Sequence, residues 1–160
     1  MWLNILQGTI EQGLVFGLLA MGVYLTFRII DFPDLTVEGS FPLGASVTAV
    51  LIINGANPFL ATFFAFIAGI LAGMITGIIN TKLRIAGLLA GILTMTSLYS
   101  INLRIMGRAN IPLLREKTIL TILKDWGLPE RYISLIAFVI IVLLVKFILD
   151  YFLHSEIGMA

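Results

Sequence analysis

Residues 31–49 read Asp31-Phe32-Pro33-Asp34-Leu35-Thr36-Val37-Glu38-Gly39-Ser40-Phe41-Pro42-Leu43-Gly44-Ala45-Ser46-Val47-Thr48-Ala49, and their reading decides the fold. Long apolar runs with almost no charge flank them on both sides. The stretch itself holds three carboxylates, four hydroxyls and the helix disruptors Pro33, Gly39, Pro42 and Gly44. In hydrocarbon, each unsatisfied backbone group costs on the order of several kcal/mol. A polar, interrupted segment survives at that depth only when protein buries it or when it lines a water-filled path. The stretch therefore reads as a discontinuous helix beside a translocation path, with Asp34, Thr36, Glu38 and Ser40 as the pathway residues. The plainer alternative is a re-entrant or interfacial loop.

Composition supports the membrane setting. Of 160 residues 59% are hydrophobic and only 12% charged, and the mean hydropathy is +1.07. A soluble domain carries about a quarter of its residues as charged side chains. The expected fold is all-α, a polytopic transmembrane bundle of about five spans with a broken second helix, and the lipid bilayer is its first partner. A net charge of +1 with no basic run outside the loops excludes a nucleic-acid partner. With no Cys and the single His154, disulfides, thiolate metal sites, Cys nucleophiles and multi-His sites are excluded. The opening MWLNILQGTIEQG has neither a basic n-region nor a small-residue cleavage site, so it is not a signal peptide.

Outward from the central stretch, the first span is expected over about Gln12–Ile30, preceded by an amphipathic lead-in with Trp2 at the interface. Gly13 and Gly17 offer a close-approach face, and Arg28 lies three residues before Asp31, within reach of pairing. Leu43–Ile53 is apolar enough to finish the second crossing, and residues 54–58 are a turn by composition. The third span, about Phe59–Ile79, carries Ala65, Gly69, Gly73 and Gly77 at four-residue spacing, a stripe expected to pack helices closely. Asn80–Arg84 reads as a basic connection. The fourth span, Ile85–Leu103, repeats the spacing at Gly87 and Gly91 and is polar in its second half. Its hydroxyls Thr94 and Ser97 are expected to bond their own backbone, with a second pathway-lining helix as the alternative. Arg104–Arg131 is the long loop, with a short amphipathic helix at Thr118–Trp126, and Tyr132–Leu153 is the fifth span.

Two places resemble one family, the membrane permease subunits of ABC importers in the branched-chain amino acid and ribose permease superfamily. Asp34-Leu35-Thr36-Val37-Glu38-Gly39-Ser40 stands where those proteins carry an acidic or hydroxyl-rich broken second helix, and Glu38 is an insertion relative to the sugar-permease form. The whole segment is most similar to the amino-acid, tryptophan-type permeases of the group. His154-Ser155-Glu156-Ile157-Gly158-Met159-Ala160 is similar to the opening of the family's cytoplasmic coupling element. The resemblance implies a single permease domain over 1–160 that reads as an N-terminal half cut at that element. It implies Ser155, Glu156, Ile157 and Gly158 as the contact with an ABC ATPase subunit. Further partners would be an extracellular or periplasmic substrate-binding protein and a second permease copy, all in a bacterial inner or plasma membrane. No catalytic residue and no cofactor is expected on this chain, since ATP would be hydrolysed on the ATPase; indeed no G-x-x-x-x-G-K-[ST] loop occurs.

The resemblance places residues 104–131 outside and the tail in the cytoplasm. Charge counting orients the chain the other way, because the long loop holds six of the ten Lys and Arg residues. Two other classes fit the residues: a proton-coupled secondary transporter using Glu38 or Asp34 at the midplane, and a non-transporting membrane scaffold that would tolerate loss of the acidic residues.

Overall fold

A computed structural model describes residues 2–29, 31–32, 34–113, 116–125 and 133–154. Helix α1 spans Trp2–Tyr24 and continues as a π-helical turn over Leu25–Ile29. Then come α2 (Thr36–Ile53), α3 (Pro58–Leu83), α4 (Gly87–Met106), the short α5 (Ile119–Asp125) and α6 (Ile133–Leu153). All but α5 are long and apolar enough to cross a bilayer. Two compact units can be separated, Met1–Ala20 with Leu123–Ala160, and Met21–Ile122.

In the first unit, a carboxylate inside an apolar helix finds partners. Glu11 Oε1 accepts from Ser134 Oγ of α6 at 2.5 Å and from Gln7 Nε2 one turn earlier at 2.9 Å. These bonds tie the start of α6 to α1 and offset the cost of placing Glu11 among apolar neighbours.

In the second unit, α2 packs against both α3 and α4. Leu43, Ala72 and Leu98, one from each helix, form the buried core, and Val47, Ala68 and Ile105 cover it. The helix ends follow from local chemistry. Asn57 caps α3 by accepting from Phe59 N at 3.0 Å, with Pro58 at the first helical position. Gly107, in the left-handed region, closes α4. Thr118 and Thr121 exchange hydrogen bonds at the start of α5, within the short helix expected from Thr118. The lead-in and first span form one continuous helix, and α3 absorbs Asn80–Leu83 from the expected basic connection, ending at Arg84 in the left-handed conformation.

The interruption is narrower than the sequence implies. Helix α2 begins at Thr36, not near Leu43, and runs unbroken through Gly39, Pro42 and Gly44. One proline and two glycines weaken a helix, yet neighbouring helices can keep it wound when the surroundings offer no other backbone partner. The break precedes Thr36, where Asp31, Phe32, Asp34 and Leu35 are non-helical. The π-helical turn before it ends with Phe32 N donating to Thr26 O at 2.9 Å. Asp31 adopts φ 52°, a left-handed conformation that Asp tolerates better than most residues. Any pairing of Asp31 with Arg28 lies outside the described side chains.

Depth can be read from register. Thr36 Oγ1 meets Thr76 Oγ1 at 2.7 Å. Thr76 is seven residues before the end of α3, about 10 Å at ~1.5 Å per residue. On α4, Phe32 lies against Gly87, Leu35 against Gly91, and Gly39 against Met95 and Leu98. Helices α2 and α4 therefore run parallel, and α2 starts well inside the span. Phe32 and Leu35 lie on a seat of glycines: a methyl group on Gly91 would lie 2.8 Å from Leu35 N, and one on Gly87 would lie 2.6 Å from the Phe32 ring. The predicted discontinuity of the second crossing is present, and Gly87 and Gly91 make the close approach their spacing suggests.

The other stripe behaves differently. A methyl group on Gly69, Gly73 or Gly77 would meet nothing within 4 Å among the described residues, and one on Gly44 would lie 3.8 Å from Ala65 Cβ, an ordinary contact. Among the described residues close packing falls on Gly39, Gly87 and Gly91, and the packing role expected of Ala65, Gly69, Gly73 and Gly77 stays a proposal. Spacing alone identifies a smooth face but not what lies opposite it.

Candidate functional site: a polar cleft between α2 and α4

The four expected pathway residues part company in the structure. Asp34 Oδ1 accepts from Thr36 N at 2.8 Å and so serves the first turn of α2. Thr36 is 2% exposed. Because Thr76 gives its proton to Ala72 O, Thr36 donates to Thr76 and pins α2 to α3. Ser40 is half-buried and donates to Val37 O within its own helix. Glu38 alone is exposed.

Glu38 lines a cleft of about 360 Å³ with Gly39 and Pro42 of α2 and Met95, Thr96, Tyr99 and Asn102 of α4. The cleft lies level with the middle of α4. A carboxylate facing lipid at such depth costs about 2.5–3.5 kcal/mol on insertion scales, so its facing a polar cleft is the cheaper arrangement. Thr96 donates its hydroxyl proton to the carbonyls of Ile92 and Leu93. Thr94 and Ser97 bond Ala90 O and Leu93 O, the self-satisfying arrangement expected of them.

Asn102, in the polar second half of the fourth span, also lines the cleft. It is 4% exposed. Its Nδ2 reaches Gly39 O at 3.5 Å, the outer limit of a hydrogen bond. Its Oδ1 is buried without a hydrogen-bond partner among the described residues. Thr96, Tyr99 and Asn102 recur every third residue, a single helical face, and that spacing is the signal that could have found it. A second cleft of about 470 Å³ is lined by Val47, Phe64, Leu71, Ile105 and other apolar residues. It has no side-chain polar group to orient a polar solute. Ser155, Glu156, Ile157 and Gly158 lie outside the described residues.

Five bilayer-length apolar helices among the described residues, two of them flanking a polar cleft, define a multi-pass helical membrane protein. The chain belongs to the family described as branched-chain amino acid transport system, permease component, which matches residues 5–160. It is 44% identical over 147 residues to a tyrosine transport system permease protein of Clostridioides difficile (strain R20291), covering 92% of this chain and 47% of that one. It is 42% identical over 155 residues to an uncharacterized protein of Rickettsia prowazekii (strain Madrid E), covering 96% of this chain and 55% of the other. The chain thus spans about half the length of the curated relatives it matches. No solved structure matches it.

Proposed function

We propose that this chain forms part of the translocation pathway of an ATP-driven ABC importer for amino acids in a bacterial cell membrane. The observation that carries the reading is the α2–α4 cleft, which Glu38, in the first turn of α2, and Asn102 of α4 both line. Family membership supports transport, and the tyrosine transport named for the Clostridioides relative supports an amino acid, aromatic or branched-chain, as cargo. On this reading ATP is bound and hydrolysed by a separate ATPase subunit, and the chain itself needs no cofactor. Residues Ser155–Gly158 enter a groove of that ATPase. A substrate-binding protein docks over residues 104–131 on the outer face, and a second permease copy completes the pathway.

In membrane vesicles of the assembled transporter, Glu38→Ala should lower L-tyrosine uptake by about tenfold, equivalent to ~1.4 kcal/mol, with membrane assembly intact. Unchanged uptake would remove Glu38 from the pathway. Sidedness tests the coupling. Single cysteines at Ser155 and Thr118 should be protected and labelled, respectively, when intact cells meet a membrane-impermeant thiol reagent. The reverse pattern would put the tail outside, beyond reach of a cytoplasmic ATPase.

A further inference from the structure

The hydroxyl of Thr36 is bonded unlike its neighbours. Thr76, Thr94, Thr96 and Ser97 each donate to a carbonyl one turn earlier in their own helix. Thr36 is the first residue of α2, and Asp34 and Leu35 before it are non-helical. No helical turn precedes it to take its proton, so its hydroxyl reaches across to Thr76 Oγ1 at 2.7 Å. We infer that Thr76 is a positioning residue of the pathway: through Thr36 it fixes the rotation of the first turn of α2 and so holds Glu38 toward the cleft. This rests on the pathway reading above and adds to it a residue of α3 that does not line the cleft. At about 100° per residue, Glu38 lies about 200° around the helix from Thr36. Thr36 is buried against α3, and Glu38 is exposed along the cleft with α4. Turning the start of α2 about its axis moves both together. Intrahelical bonds alone do not set that rotation, because the first four N–H groups of a helix have no partner within it. Asp34 Oδ1 takes the N–H of Thr36 at 2.8 Å, but Asp34 belongs to the same segment and turns with it. The seat of Leu35 on Gly91 limits how close the segment comes to α4 and gives it no direction. The Thr36–Thr76 bond is the one side-chain hydrogen bond between α2 and α3 among the described residues. Thr36 is 2% and Thr76 0% exposed, so neither hydroxyl can turn to water instead.

Two readouts test this in the full-length permease assembled with its partner subunits. Thr76→Val keeps the branched shape and removes the acceptor, whereas Thr76→Ser keeps the hydroxyl. Per assembled transporter, Thr76→Val should lower L-tyrosine uptake by about tenfold, the worth of one buried hydrogen bond. Thr76→Ser should restore most of it. In a Glu38→Ala background Thr76→Val should cost little further, because the side chain it orients is gone. The second readout is the facing of the turn itself. In a permease otherwise free of cysteine, Glu38→Cys is treated with aminoethyl methanethiosulfonate, and its rate is divided by that of Tyr99→Cys on the α4 wall. Adding Thr76→Val should lower this ratio by about tenfold, again the worth of the lost bond. Should Thr76→Val fail to assemble, Thr76→Ala removes the same acceptor with a smaller side chain and is read the same way. Failure of both to assemble would make Thr76 a residue of the fold alone and overturn the inference. Equal proportional losses of uptake with and without the Glu38 carboxylate, or an unmoved cysteine ratio, would overturn the positioning role and leave the pathway standing. Unimpaired uptake by Glu38→Ala would overturn both.

Discussion

Asn102→Leu is expected to make the permease more stable and a poorer transporter. Leaving a buried acceptor unpaired costs about 1–3 kcal/mol, and Asn102 Oδ1 is such an acceptor. The bond its amide makes to Gly39 is too long to repay that cost. Gly39 O lies within α2, where the helical N–H of Leu43 serves it. Leucine repeats the branched shape of the asparagine side chain with bulkier ends and brings no polar atom. Even a gain of about 1 kcal/mol would raise the melting temperature by roughly 2–4 °C for a chain of this size class. Uptake of L-tyrosine should fall by about tenfold, since Asn102 lines the proposed pathway. Thermal unfolding in detergent and vesicle uptake, measured on one preparation, check both halves. A destabilised Asn102→Leu variant would mean that the amide holds the fold together and is not kept for a ligand.

The second large effect separates two sets of glycines that look alike in the sequence. A methyl group on Gly91 would lie 2.8 Å from Leu35 N and 3.2 Å from Asp34 Oδ1. Neither neighbour is the free end of a flexible side chain. Asp34 is held by its bond to Thr36 N, and Thr36 is held by Thr76. Overpacking a rigid contact costs about 1–3 kcal/mol or more, and here the displaced backbone has no water to turn to. Gly91→Ala should therefore sharply reduce the fraction of permease that leaves the membrane folded, as read by size exclusion after mild detergent extraction. Gly73→Ala should be silent or slightly stabilising, because nothing lies within 4 Å of the added methyl and Ala is favoured over Gly in a helix by about 1 kcal/mol. Equal damage at both positions would show that the α3 stripe packs against something outside the described residues.

The contrast shows what kind of information the residues hold. Five crossings were legible because lipid imposes a one-dimensional requirement, about 20 apolar residues per span. The polarity of residues 31–49 was legible for the same reason, as a breach of that requirement. Where the break falls was not. Gly39, Pro42 and Gly44 all argue locally against helix, and the neighbours that keep α2 wound come from α3 and α4, far along the chain. The roles of Asp34 and Thr36 were hidden likewise. A carboxylate and a hydroxyl in a breached span suit a pathway as well as they suit a cap and an interhelical bond, and only the positions of Thr76 and the α2 amides decide. Asn102 is a single polar residue near a helix end until Gly39 is seen beside it.

The seat of Leu35 on Gly91 is a contact of main chain with main chain. A contact of that kind places little demand on the side chain of residue 35 and a very strict one on residue 91. Over evolutionary drift the two partners of that contact therefore carry unequal burdens: the side chain at 35 retains room to change, whereas the plainest residue in the fourth helix has almost none.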